Sequence, residues 1–223
     1  KQRYGDDKVF DLSLGNPILE PPPEFYDALR RLAQDPSPGM HRYMPNAGYV
    51  ETRAAVAAQF SEETGLGFTA DQVMMACGAG GALNVVLKAL LDPGDEVVIF
   101  APYFVEYLFY ADNHGGSCRV IPSDDRFFPD LDAFEASIND RTRVVLVSSP
   151  NNPTGSVYSA DEIKALGDVC VEKGVLIMSD DIYEKLLYDG AEFTSVTGFS
   201  GEHKAHTIIV HGLAKAYSMT GWR

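Results

Sequence analysis

Two hydrophobic patterns alternate along this chain. Apolar residues fall in short, nearly uninterrupted runs at positions 73–77, 96–102, 143–148, 175–178 and 207–210. Runs of that length, without regular polar interleaving, predict strands buried on both faces. A more polar run at 117–121, with Arg119 in its centre, predicts a short strand at a sheet edge. Between the runs, apolar positions recur at helical spacing: Phe25, Leu29 and Leu32; Val50, Ala54, Ala57 and Ala58; Leu83, Val86, Leu87 and Leu90; Leu131, Phe134 and Ile138; Ile163, Leu166 and Val169. Helix stops are written at Asp92-Pro-Gly94 and Lys173-Gly174, and a helix start at Ser159 with Glu162 three positions on. Residues 8–23 end in a proline run and predict an extended arm. Strands alternating with helices predict an α/β fold: a mostly parallel sheet with helices on both faces.

Composition narrows the function classes. With 223 residues and 45% hydrophobic content the chain can build a substantial core. Its formal net charge of -14 repels phosphate backbones and anionic lipid, so nucleic acid and membrane surfaces are poor partners. No apolar run is long enough to span a bilayer, and the opening Lys-Gln-Arg-Tyr-Gly-Asp-Asp lacks the apolar stretch of a signal peptide. Cys77, Cys118 and Cys170 are scattered beside apolar runs and predict buried free thiols in a reducing compartment. The expected location is cytoplasmic. The sequence does not begin with Met, so a trimmed start is also expected.

Candidate chemistry gathers where buried runs end. Open α/β sheets hold ligands at the carboxyl ends of their strands. The run 207–210 leads through small residues to Lys215, the run 175–178 leads to Asp180 and Asp181, and the run 143–148 leads to the polar string 149–155 containing Asn152. From Asn152 to Asp180 is 28 positions and from Asp180 to Lys215 is 35, each enough for strand, crossover and strand. Right-handed crossovers then bring all three to one sheet edge. Gly78-Ala79-Gly80-Gly81 enters a helix, where free N–H groups and the positive end of the dipole attract an anion. A dinucleotide fingerprint there lacks its third glycine, because Leu83 occupies that position. The adjacent acids Asp180 and Asp181 point opposite ways on an extended segment and make a poor metal site. On residues alone, Phe104 reads equally well as core and the segment at Gly15 as a plain turn.

Three strings carry a family resemblance. Gly212-Leu-Ala-Lys215 followed by Gly221-Trp-Arg223 resembles the lysine signature of class I/II aminotransferases, pyridoxal-phosphate enzymes of fold type I. The string Ser149-Pro-Asn-Asn-Pro-Thr-Gly155 is similar to the family's second signature, and Tyr43-Met-Pro-Asn-Ala-Gly48 to its Tyr-x-Pro-x-x-Gly segment. The resemblance implies that Lys215 forms the Schiff base with pyridoxal 5'-phosphate and that Arg223 grips the phosphate. It further implies that Asp180 pairs with the ring nitrogen, and that Asn152 and Tyr183 bond the ring oxygen. Phe104 lies against the ring, while Gly78, Ala79, Gly80 and Gly81 form a turn beneath the cofactor. Gly15 and Asn152 approach the substrate. Tyr43 reaches the phosphate of the neighbouring subunit, which implies a homodimer with shared sites. Gly212 stands where some members carry a serine, so that hydroxyl contact is absent.

The implied function is an aminotransferase exchanging an amino group between an amino acid and a 2-oxo acid by a ping-pong route. Other fold type I reactions, C–S β-lysis, decarboxylation or cyclopropane formation, use the same cofactor residues. A non-catalytic ligand-sensing domain and a nucleotide-binding domain are the rivals of other classes. The resemblance also implies a division into an arm and small-domain segment, 1–40, and a large cofactor-binding domain, 41–223, incomplete at its end. A further antiparallel strand and the rest of the small domain are expected in a longer chain. The 223 residues alone are therefore expected to be unstable or inactive.

Overall fold

A computed structural model describes residues 3–5, 8–10, 15–17 and 19–222. Five strands form one sheet in the order β2-β1-β3-β4-β5: β1 (Glu96–Phe100), β2 (Ser117–Ile121), β3 (Thr142–Val147), β4 (Leu176–Asp180) and β5 (Thr207–Val210). Every neighbouring pair is parallel. The helices are α1 (Pro23–Gln34), α2 (Val50–Thr64), α3 (Gly78–Leu90), α4 (Glu106–Asp112), α5 (Leu131–Ser137), α6 (Ala160–Lys173), α7 (Gly201–His206) and α8 (Leu213–Ala216).

Strand periodicity divides the core in two. On β1, Val97 and Ile99 face one way and Val98 and Phe100 the other, and on β3, Val144 and Leu146 oppose Val145 and Val147. The first set packs with Leu83 and Leu87 of α3 and Tyr107 of α4. The second packs with Phe134 of α5 and Ile163 and Leu166 of α6. Helices therefore cover both faces, which is why the central strands are apolar without interruption. Local signals fall where expected: Ser159 and Glu162 form a reciprocal capping box on α6, and Gly174 ends that helix at φ 66°. β2 lies at the sheet edge, as its polar pattern predicts.

The run 73–77 departs from expectation. It forms no strand, and Met74, Met75 and Cys77 are exposed. A strand needs a neighbour for its N–H and C=O groups. Among the described residues this segment pairs with none in a ladder; its Met75 N–H bonds the Ala47 carbonyl at 2.9 Å. Cys77 is accordingly not the buried thiol expected. Cys170 is buried and Cys118 partly so, and burial pushes their thiols up to about 12 and about 11.

An ionic clasp ties the amino ends of the strands. Glu96 is 4% exposed and accepts from Arg119 Nε at 2.8 Å, Arg119 Nη2 at 3.0 Å and Asn139 Nδ2 at 3.0 Å, with Arg141 also paired to it. The Arg119 bonds, aided by Asn139 and the Arg141 charge, outweigh desolvation and lower its carboxyl from 4.5 to about 2. A depressed folded-state value stabilises the fold above the unfolded value and loses that contribution as pH falls. The expected result is acid destabilisation between pH 4.5 and about 2. Glu96→Gln should flatten that part of a denaturation profile; an unchanged slope would refute the assignment.

Candidate active site

Three adjacent strands deliver the polar groups. Asp180 is the last residue of β4 and is 6% exposed. Tyr107 Oη donates to Asp180 Oδ2 at 2.7 Å, while Oδ1 meets no hydrogen-bond partner among the described residues. Burial raises the Asp180 carboxyl above its ordinary value, opposed by the Tyr107 bond, the Ile182 N–H and the His211 charge. One carboxylate oxygen is thus fixed and the other open, in surroundings that favour a positive partner.

Just beyond β4 the chain turns through Tyr183. Asn152, five residues after β3, donates its Nδ2 to Tyr183 Oη at 3.3 Å. Burial and the Asp180 charge raise the Tyr183 phenol, with Asn152 opposing, so it stays a proton donor at neutral pH. Lys215 lies on the short helix α8, and its Nζ stands 6.0 Å from the Tyr183 ring centroid. The same Nζ donates to the Gly15 carbonyl at 3.1 Å, so the arm also reaches the site.

The floor is built on the other core layer. Phe104 packs edge-on against Tyr107, ring centroids 5.6 Å apart at 85°. α3 opens with Gly78 at φ 72°, a conformation that an L side chain resists. Cys77 at the N-cap makes no side-chain bond, which leaves first-turn N–H groups for an anion. A Cβ on Gly80 would lie 2.8 Å from Tyr110 Oη, so the turn is also close-packed. Gly78→Ala is expected to strain the turn by about 1–2 kcal/mol. The midpoint of thermal unfolding should then fall by about 2–8 °C in a calorimetric scan.

The structure therefore brings together Gly15, Asn152, Asp180, Tyr183 and Lys215, with Phe104 joined to Asp180 through Tyr107. The Gly78 to Gly81 turn begins the helix whose Leu83 and Leu87 pack in the same layer as Tyr107. Tyr43 is fully exposed on the loop before α2, and Arg223 lies outside the described residues. Sequence reasoning missed Tyr107. It lies 73 positions from Asp180, and the only signal was a tyrosine three places after Phe104.

Comparison with known proteins shows the family. The family described as "Aminotransferase class I and II" matches residues 7–223. The chain is 38% identical over 217 residues to an aspartate aminotransferase of Geobacillus stearothermophilus, covering 96% of this chain and 54% of that protein. It is 39% identical over 226 residues to the aspartate/prephenate aminotransferase of Thermus thermophilus, covering 100% of this chain and 56% of that one. A solved amino transferase from Eubacterium rectale superposes with a TM-score of 0.90 at 36% identity, covering 96% of this chain and 55% of that structure. The chain spans about half the length of the curated relatives it matches. Family match, sequence identity and superposed fold agree, and the chain belongs to the class I and II aminotransferase family.

Proposed function

We propose that this chain supplies the cofactor-binding large domain, residues 41–223, and the arm of a pyridoxal-phosphate aminotransferase. The observation that carries the reading is the meeting of Lys215, Tyr183, Asn152 and Asp180 at the carboxyl ends of β3, β4 and β5. The residues fit the cofactor. The open Oδ1 of Asp180 suits a protonated ring nitrogen, and the glycine turn entering α3 suits a phosphate. Pyridoxal phosphate supplies an electron sink for the substrate's α-carbon.

The chain's own groups have separable tasks. Asp180, steadied by Tyr107, would keep a proton on the ring nitrogen. Asn152 and Tyr183 donate to the ring oxygen and stabilise its negative charge. Phe104 excludes water from one ring face. Lys215 would hold the cofactor, and its amine would take and return the proton that moves during transfer. The phosphate would be neutralised by Arg223, the role that the family resemblance implies. Gly15 contacts the substrate carboxylate with its backbone.

The relatives' names point to aspartate as amino donor and a 2-oxo acid as acceptor. The exposed ring of Tyr43 suits a homodimer in which it enters the partner's site, and the expected location is the cytoplasm. A half-reaction tests the proposal. The full-length protein loaded with pyridoxal phosphate should convert one equivalent of aspartate per site to the oxo acid, then stop until 2-oxoglutarate is added. Release of carbon dioxide, or turnover without an acceptor, would assign another reaction of the same fold.

A further inference from the structure

The carboxyl edge of the sheet carries a second polar cluster behind the first. In register Asp180 lies beside Val210 of β5, and the Asp181 N–H bonds the Val210 carbonyl at 2.9 Å. Successive side chains alternate, so Asp180 turns toward Tyr107 while Asp181 turns to the opposite face, where it accepts from Ser179 Oγ at 2.5 Å. A cavity of about 720 Å³ opens there, between the carboxyl-terminal end of α2 and the segment 184–199. Phe60 and Phe193 supply apolar wall. Glu63, Asp181, Glu184 and Glu192 line it against a single lining cation, Lys185.

Glu63 and Glu184 are already paired. Lys185 Nζ sits between Glu63 Oε1 at 2.7 Å and Glu184 Oε1 at 3.2 Å, and His211 Nε2 meets Glu184 Oε1 at 2.9 Å. Asp181 differs. It is 2% exposed, and its Oδ2 has no hydrogen-bond partner among the described residues. Burial, with the charges of Glu184 and Asp180, raises its carboxyl to about 7, although the Ser179 bond opposes this. A buried carboxyl left in that condition lacks a cation.

We propose that this cavity binds a primary organic ammonium, with the ammonium on Asp181 and an aliphatic body against Phe60 and Phe193. The Lys185 ammonium, held between two carboxylates, shows the recognition that the lining offers. A metal ion is disfavoured because no three metal-binding side chains converge among the described residues. Carboxylate-bearing amino and oxo acids are repelled by the lining acids. The volume falls within the range of small-molecule sites. The site lies on the face opposite Tyr107 and does not depend on the aminotransferase reading.

Calorimetry of the full-length, cofactor-loaded protein with 1,4-diaminobutane tests the proposal. The expected result is saturable binding of one molecule per chain, with buffer-dependent heat at pH 7, because the arriving ammonium drives the Asp181 proton off. Asp181→Asn should abolish the proton release and weaken binding at least about tenfold, and Glu192→Gln, on the exposed wall, should weaken it about two- to threefold. The second variant keeps the test decisive if the first fails to fold. No saturable heat up to about 10 mM, unchanged binding in both variants, or equal displacement by magnesium chloride would overturn the site.

Discussion

Lys215→Ala is expected to reduce amino transfer by at least about four orders of magnitude, because on the proposed reading one change removes both the cofactor's anchor and the group that moves the proton. The absorption band near the visible edge that forms on adding pyridoxal phosphate should disappear. Fold should be unaffected: Lys215 is half-buried on a four-residue helix, and its Nζ bonds the loop carbonyl of Gly15. Circular dichroism should therefore match the parent. A variant that keeps the band would place the reactive amine elsewhere. One that loses its secondary structure would make Lys215 a structural residue.

Asp180→Asn is the second large effect. The parent presents an ionisable oxygen, Oδ1, in a site where burial disfavours an unpaired charge. Removing one partner of a buried charge pair costs about 2–5 kcal/mol, which is roughly thirty- to several-thousand-fold in cofactor affinity. The amide can still accept from Tyr107, so packing should survive. Ring-nitrogen-labelled pyridoxal phosphate should report loss of the ring proton by ¹⁵N chemical shift. A protonated ring in the variant would show that Asp180 is not the group responsible.

What was legible from sequence follows from where each signal resides. Asn152, Asp180 and Lys215 each come shortly after a short apolar run, so local pattern and the handedness of crossovers place them on one edge. Helix caps at Ser159 and Gly174 are equally local. Tyr107 was not legible, because its meaning depends on a contact 73 positions away. The run 73–77 misled for the opposite reason. Hydrophobicity gives a segment the composition of a strand, but pairing makes it one, and pairing is not written in the segment itself. The cavity behind Asp181 was invisible for a related reason: its walls come from α2 and from residues 184–199, which only the tertiary fold brings together.

The sheet order has a consequence for how the molecule is made. β1 to β3 can pair as soon as residue 147 has left the ribosome, whereas β4 and β5, on one side of β3, emerge later. The proposed cofactor site straddles that later-formed border. A nascent chain stalled before residue 215 therefore exposes the apolar flank of β3 or β4 with no ligand to shield it, and translation pauses in that interval mark the stage most prone to aggregation.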